Sequence, residues 1–154
     1  MADSPLERGA WWNRYYMTMA DHVATASKDP STKVGCVLVD ERRRVIGTGY
    51  NGFPRGVKDD PSRYEDRAVK YLMVQHAEAN AVLNAVSGTE GSTAYVTHFP
   101  CSNCAGVLIQ AGIRRIFTTT PDVAFAERFK DSFNASYQML SEAGVQVNYM
   151  DPVD

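Results

Sequence analysis

The class of fold follows from residues 93–119, whose sequence is TAYVTHFPCSNCAGVLIQAGIRRIFTT. Residues 93–99 are rich in β-branched and aromatic side chains, which predicts a strand. Residues 102–111 are predicted to form a helix that ends at Gly112, and residues 113–119 to form a second strand. Because strands and helices that alternate in this way build α/β sandwiches, we expect the later strands of the sheet to be parallel.

Elements on both sides of this unit extend the pattern. Residues 34–40 and 45–50 are β-rich and flank the polar run 41–44, which predicts a hairpin. The remaining predictions are helices at 7–27, 63–73, 77–86 and 124–143 and a last strand at 145–149. Together they predict one domain over residues 1–154, a three-layer α/β/α sandwich with a central five-stranded mixed sheet. The first helix has an apolar stripe that we expect in the core, formed by Trp12, Tyr15, Tyr16, Met19, Val23 and Ala26.

Composition narrows the classes of function. The chain has 154 residues, of which 44% are hydrophobic and 22% charged, and this excludes a disordered chain. Its 16 basic and 18 acidic residues give a net charge of −2, whereas nucleic-acid-binding proteins usually have a clear excess of basic residues. No stretch reaches the roughly 20 apolar residues that cross a bilayer, and the first residues lack the pattern of a signal peptide. We therefore expect a cytoplasmic protein that binds neither nucleic acid nor membranes.

Two short motifs carry the most distinctive chemistry. The first is HAE at residues 76–78, where a predicted helix begins, and the second is PCSNC at residues 100–104, between a predicted strand and a helix. Zinc binds thiolate sulfur and imidazole nitrogen, and a catalytic zinc has three protein ligands and one open position. His76, Cys101 and Cys104 are the predicted ligands, because two cysteines three residues apart at a helix start lie on one side of that helix. Together the motifs match the pattern H-x-E…P-C-x-x-C of zinc-dependent nucleobase deaminases.

Glu78 is the predicted catalytic carboxylate. Two thiolates and a neutral imidazole cancel the charge of the zinc ion, so that water at the open position is acidified less than in an all-histidine site. A nearby base is then needed, and Glu78 lies two residues after a predicted ligand. In this role it takes a proton from the water and returns protons to the ring nitrogen and to the departing amino group. The predicted reaction is hydrolysis at an amidine carbon with release of ammonia.

Simpler interpretations of these residues stay open on the sequence alone. Cys101 and Cys104 are also compatible with a reduced pair or with a closed structural zinc site, for which His98 is the one nearby spare ligand. We interpret His98 instead as a residue beside the metal site or at the rim of the substrate site. Cys36 lies in an apolar strand and is expected to be a small core residue. Asn51 stands before a glycine, which is also typical of an ordinary turn.

Several segments resemble the cytidine deaminase superfamily and, within it, the deoxycytidylate (dCMP) deaminases. The resemblance covers most of residues 27–117 and implies a cytidine deaminase-like fold that hydrolyses dCMP to dUMP and ammonia. It also implies a homo-hexamer in which dCTP with Mg²⁺ activates and dTTP inhibits at a separate site. The segments that carry it are SKDPSTKVG at 27–35, GYNGFPRG at 49–56, HAEANA at 76–81, YVTHFPCSNCA at 95–105 and QAGI at 110–113.

Further roles follow from the same resemblance. Asn51 is expected to hydrogen-bond the deoxyribose, and the backbone of Ala77 to contact the pyrimidine. A 5′-phosphate needs hydrogen-bond donors, and the candidates just before the first strand are Lys28, Ser31 and Lys33. The loop after the second strand resembles the effector region of the family, and its arginines are the expected contacts to a triphosphate. The candidate effector residues are Gly52, Phe53, Arg55, Gly56 and Arg63.

The chain departs from the family pattern in two places. Some dCMP deaminases bind a second, structural zinc between the Asn-Gly loop and the catalytic histidine. Residues 57–75 contain no cysteine and no histidine, so we expect one zinc per chain. Some members also have an aromatic residue after the fourth strand, where this chain reads TTTPD at 118–122. The choice between a monophosphate and a triphosphate substrate therefore stays open.

Three rival functions are compatible with parts of the pattern. A deaminase acting on dCTP, alone or alongside dCMP, is the nearest. A tRNA adenosine deaminase shares both motifs but needs a basic face for RNA, which the net charge of −2 does not favour. A zinc-stabilised regulatory subunit built on an inactive deaminase has no need of Glu78 as a proton carrier.

Overall fold

A five-stranded mixed sheet forms the centre of the computed structural model, which describes residues 4–151. Its strands are β1 (Gly35–Val39), β2 (Val45–Tyr50), β3 (Thr93–Val96), β4 (Arg115–Thr118) and β5 (Gln146–Tyr149). The helices are α1 (Pro5–Ala24), α2 (Pro61–Glu65), α3 (Arg67–Met73), α4 (Ala77–Leu83), α5 (Ser102–Gln110), α6 (Val123–Arg128) and α7 (Lys130–Glu142).

The order of strands across the sheet is β2-β1-β3-β4-β5. β1 is antiparallel to both β2 and β3, which confirms the predicted hairpin. β3, β4 and β5 are parallel to one another, as the alternation of helices and strands predicted. Because parallel strands end at the same edge of a sheet, the segments that follow β3 and β4 lie side by side.

Side chains of the sheet alternate between two buried layers. Val37, Val39 and Tyr95 pack against Tyr16, Met17 and Ala20 of α1 on one face. Cys36, Leu38, Val96 and Ile116 belong to a second core on the other face, together with side chains of α4, α5 and α7. The predicted three-layer α/β/α sandwich is therefore confirmed, and Cys36 is a core residue, as expected.

Two predicted helices are wrong, because each is a pair of shorter helices. The helix predicted at 63–73 is divided at Asp66, whose extended backbone ends α2 and whose carboxylate accepts hydrogen bonds from the first turn of α3. The helix predicted at 124–143 is divided at Phe129, which has φ −112° and ψ 25°. Neither break involves proline or glycine within the helix, so the sequence gives little warning of either.

Other boundaries differ by a few residues. α1 begins at Pro5 rather than residue 7, because Ser4 and Glu7 form a reciprocal capping box. β3 ends at Val96 rather than residue 99, and Pro100 has no N–H with which to continue the ladder. Across the part of the chain that the structure describes, every helix falls short of the length and apolar character needed to span a bilayer.

Candidate metal centre and active site

His76, Cys101 and Cys104 come together where two helices begin. His76 directly precedes α4, Cys101 directly precedes α5, and Cys104 lies in the first turn of α5. The Nδ1 atom of His76 is 3.4 Å from the sulfur of Cys101 and 3.3 Å from that of Cys104. All three possible ligand atoms lie within 4.8 Å of one another. The structure thus brings together the three ligands that the two motifs predict.

The spacing of these atoms fits zinc. Tetrahedral zinc with sulfur at about 2.3 Å and nitrogen at about 2.0 Å separates the two ligand atoms by about 3.5 Å. The observed separations of 3.3 and 3.4 Å are only slightly shorter. A hydrogen bond from the Cys104 thiol, assisted by His76, lowers the pKa of Cys101 to about 4. The same bond to Cys101, together with burial, raises the pKa of Cys104 above its ordinary value. These contacts favour the thiolate form of Cys101.

Among residues 4–151, the cluster contains three donors and no fourth. His98, the residue that could have closed the site, lies in the cavity wall with its ring centroid 6.1 Å from that of Phe125. Burial lowers the pKa of His98 and so favours its neutral form. The geometry is that of a centre with an open position rather than of a closed structural site.

Glu78 lies beside this centre in the first turn of α4. Its side chain is 4% exposed, and burial raises its pKa to about 7. A carboxyl group with a pKa near neutrality can both accept and donate a proton at physiological pH. The catalytic role of Glu78 stays a prediction.

A cavity of about 560 Å³ opens over the metal centre. His76, Ala77, Glu78 and Cys101 form part of its lining. The walls come from the segment between α1 and β1, from α2 and α3, and from α6 and the start of α7. The wall residues include Asp29, Ser31, Asn51, Tyr64, Arg67, Lys70, Tyr71, Phe125, Arg128 and Phe129.

Asn51 and Ala77 both line the cavity, as expected for the sugar and pyrimidine contacts. The amide of Asn51 is already engaged within the protein. Its Oδ1 accepts from the Val34 nitrogen at 2.8 Å, and its Nδ2 donates to the Thr32 carbonyl at 2.9 Å and lies 3.4 Å from Asp29. One lone pair of Oδ1 is left for a substrate hydroxyl, and the sugar contact stays a prediction.

The three residues predicted to contact phosphate are placed differently from one another. Ser31 lines the cavity. Lys28 forms an exposed ion pair with Asp59 at 3.0 Å, and the ammonium of Lys33 donates to the Ser27 carbonyl. Neither lysine is among the residues that line the cavity.

None of the predicted effector residues is among those that line the cavity. The ring of Phe53 stacks on that of Tyr64 at 4.3 Å, and Tyr64 in turn lines the cavity. Arg55 donates to Asn84, and Arg63 donates to the carbonyl of Lys58. Gly52 pairs with Gln75 in an isolated bridge, and Gly56 has φ 80°. The effector role of these residues stays a prediction.

Sequence reasoning missed the cations at the cavity wall. Arg67 and Lys70 belong to α3, and Arg128 belongs to α6. Both helices were predicted as parts of longer ones, so the face that each turns to the cavity could not be deduced. The basic residues after residue 60 were the one sequence feature that could have indicated these cations. The same pattern is typical of a helix face exposed to solvent.

A His-Cys-Cys centre with a separate glutamate, set in an α/β/α sandwich, is the arrangement of zinc-dependent nucleobase deaminases. Residues 10–120 match the family model described as the cytidine and deoxycytidylate deaminase zinc-binding region. The chain belongs to this family.

Relatives and solved structures agree with that assignment. The chain is 41% identical over 143 residues to an "uncharacterized deaminase in luxG 3′region" of Aliivibrio fischeri, with 93% of this chain and 95% of the relative covered. It is 37% identical over 135 residues to human deoxycytidylate deaminase, with 84% and 72% covered. The crystal structure of dCMP deaminase from the cyanophage S-TIM5 superposes with a TM-score of 0.69 at 23% identity, covering 96% of this chain and all of that one. At that identity the likeness shows a shared fold.

Proposed function

We propose that this protein is a zinc-dependent deoxycytidylate deaminase, which hydrolyses dCMP to dUMP and ammonia. The observation that carries the proposal is the buried Glu78 next to the His76, Cys101 and Cys104 cluster, under a cavity of about 560 Å³. Membership of the cytidine and deoxycytidylate deaminase family and 37% identity to the human deoxycytidylate deaminase support the choice of substrate.

The residues divide the work of the reaction. His76, Cys101 and Cys104 would hold the zinc ion, which, when bound, supplies Lewis-acid activation of water. Glu78 accepts the proton that the attacking water loses. Glu78 delivers this first proton to N3 of the pyrimidine as the water oxygen bonds to C4. It then takes the second proton from the new C4 hydroxyl and delivers it to the 4-amino nitrogen, so that the C4–N bond breaks and dCMP and water yield dUMP and ammonia. The backbone of Ala77, which lines the cavity, would contact the pyrimidine and so orient C4 toward the reacting centre.

The 5′-phosphate requires donors farther from the metal. Arg67 lines the cavity from α3, Arg128 lines it from α6, and Ser31 lines it from the segment before β1. Arg128 donates to the hydroxyl of Tyr71 at 3.2 Å, which joins the walls formed by α3 and α6. One guanidinium group can donate two parallel hydrogen bonds to two oxygens of a phosphate. We therefore assign Ser31, Arg67 and Arg128 as the phosphate contacts, and Arg67→Gln and Arg128→Gln should each raise KM more for dCMP than for deoxycytidine.

A substrate panel tests the proposed function. Ammonia release is measured from dCMP, dCTP, CMP, deoxycytidine and a tRNA with the purified, zinc-loaded protein. We expect the highest kcat/KM with dCMP. A preference for dCTP would support the bifunctional or triphosphate alternative, and turnover of tRNA alone would overturn the proposal.

Substitution of Glu78 tests the catalytic role. Glu78→Gln should retain zinc and lose at least about 10³-fold in kcat, because the amide can neither accept nor return the proton. Glu142→Gln removes an exposed carboxylate at the end of α7 and is the matched control. Retained turnover in Glu78→Gln would remove this residue from the mechanism.

The family resemblance also supports proposals about regulation, assembly and cellular location. We propose a homo-hexamer of the cytoplasm that is activated by dCTP with Mg²⁺ and inhibited by dTTP at the loop containing Gly52, Phe53, Arg55, Gly56 and Arg63. In the same ammonia assay dTTP should lower turnover at saturating dCMP. Purely competitive inhibition would place dTTP in the active site instead.

A further inference from the structure

A buried ion pair lies in the cavity wall, away from the metal ligands. The carboxylate of Asp29 is 2% exposed, and the side chain of Lys70 is 12% exposed. The ammonium of Lys70 is 3.0 Å from Oδ1 and 2.8 Å from Oδ2 of Asp29. The two residues come from different elements, since Asp29 precedes β1 and Lys70 belongs to α3.

Asp29 organises the segment that carries it. Its Oδ1 accepts hydrogen bonds from the backbone nitrogens of Ser31 and Thr32 at 2.8 and 3.2 Å. Its Oδ2 lies 3.4 Å from the Nδ2 of Asn51. These contacts set the shape of the wall at Ser31 and the orientation of Asn51. Ser31 is assigned above to the phosphate under the proposed function, and Asn51 is predicted to contact the sugar.

Lys70 also connects α3 to the rest of the domain. No residue of α3 is buried, so apolar packing contributes little to holding this wall. Its connections are polar, through Lys70 to Asp29, through Tyr71 to Arg128, and through the backbone pairs of Gln75 with Gly52 just beyond the helix.

The charge of Asp29 poses a problem for an anionic substrate. A buried carboxylate without a cation is strongly disfavoured. An unpaired negative charge on Asp29 would also repel the phosphate of a nucleotide in the cavity. Among the described residues, Lys70 forms the one ion pair of Asp29. With two hydrogen bonds directed at Asp29, the ammonium has one N–H left.

We propose that Lys70 is a positioning residue for nucleotide binding, which acts by neutralising Asp29 and so holds the 29–34 segment and Asn51 in the arrangement that admits a nucleoside monophosphate. This inference rests on the proposed function. It assigns to Lys70 a role through Asp29 rather than a direct bond to the phosphate.

A double-mutant cycle tests this assignment by kinetics with dCMP. Lys70→Met should raise KM about tenfold while kcat changes less than about threefold, since the residue acts on binding and not on the reacting atoms. In Asp29→Asn, whose side chain is neutral and can still accept from Ser31 and Thr32, adding Lys70→Met should change KM less than about threefold. The double variant should therefore bind dCMP better than Lys70→Met alone.

The outcomes separate the possibilities even if Lys70→Met fails to fold, because the comparison of Asp29→Asn with the double variant does not need that protein. If removing Lys70 causes the same large loss of affinity in the wild type and in Asp29→Asn, Lys70 contacts the nucleotide directly and the proposal is wrong. An unchanged KM in Lys70→Met would also overturn it. Lys130→Met breaks an exposed ion pair with Glu127 and is the matched control. Turnover by the wild type tests the proposed function separately; if dCMP binds but is not deaminated, Kd replaces KM in the same comparison.

Discussion

Glu78 is an ionisable residue that the fold buries beside the metal cluster. It lies in the first turn of α4, where the helix packs against the sheet, and its exposed fraction is 4%. Removal from water disfavours the charged form, and this raises the pKa to about 7. Burial therefore has two effects. It brings the pKa of Glu78 close to physiological pH, and it makes ionisation of Glu78 lower the free energy of unfolding.

This cost predicts a pH-dependent stability of the zinc-free protein. Because the folded pKa lies above the usual value of 4.5, the folded state holds this proton more tightly than the unfolded state. The stabilisation by Glu78 is complete below about pH 4.5 and is lost as the pH rises through about 7, a change of up to about 3 kcal/mol. Urea unfolding of chelator-treated wild type and Glu78→Gln at pH 5 and pH 8 measures it.

Between pH 5 and pH 8, the wild type should lose unfolding free energy relative to Glu78→Gln. Glu142→Gln, an exposed substitution, should show no comparable shift relative to the wild type. An equal difference at both pH values for Glu78→Gln would mean that this carboxyl group is not desolvated as the structure indicates.

At the scale of the element, α4 is seated directly on the backbone of β2. A Cβ at Gly47 would lie 2.5 Å from the Ala81 carbonyl oxygen, and one at Gly49 would overlap the Ala77 carbonyl oxygen and the Ala81 nitrogen. The two glycines permit this close approach, and it sets the height of the helix above the sheet. Since His76 and Glu78 lie at the start of α4, that height also sets where the ligand and the acid meet the cysteines of α5.

Gly49→Ala should therefore disturb the active site through the helix. We expect a loss of about 1–3 kcal/mol in unfolding free energy, with weaker zinc binding and lower kcat. Gly9→Ala in α1 is the control, because its added Cβ meets nothing within 4 Å and should be neutral or stabilising by up to about 1 kcal/mol. Competition with a chelator measures the zinc affinity. If Gly49→Ala is destabilised but binds zinc as tightly as the wild type, the position of α4 on β2 does not control the metal site.

The same elements show what sequence could predict. The hairpin, the parallel later strands and the position of both motifs at helix starts followed from periodicity and from proline and glycine positions. The breaks at Asp66 and Phe129 did not, because neither residue is a proline or a glycine that would signal the end of a helix. Arg67, Lys70 and Arg128 were missed for that reason. The cluster of His76, Cys101 and Cys104 could be predicted because zinc ligation restricts residue type and spacing.

On the scale of the whole molecule, the cavity is assembled from segments far apart in sequence. Asp29, Lys70 and Arg128 come from three different walls, and local patterns cannot show which of them meet. The metal centre at its floor also joins α4 to α5 across the sheet edge. Binding of a cation there links the two helices and should stabilise the folded state, since the unfolded chain offers no such site.

Zinc content and zinc removal test this view of the molecule. Over residues 4–151, His76, Cys101 and Cys104 form the one cluster able to hold an ion, and residues 57–75 contain no cysteine or histidine. Metal analysis should therefore give one zinc per chain, Cys101→Ser should lose it, and chelation should lower Tm in the wild type but not in Cys101→Ser. Cys36→Ala, which changes a cysteine buried in β1, should keep one zinc and its chelator-dependent Tm. Two zinc ions per chain, or retention of zinc by Cys101→Ser, would contradict a single three-ligand centre.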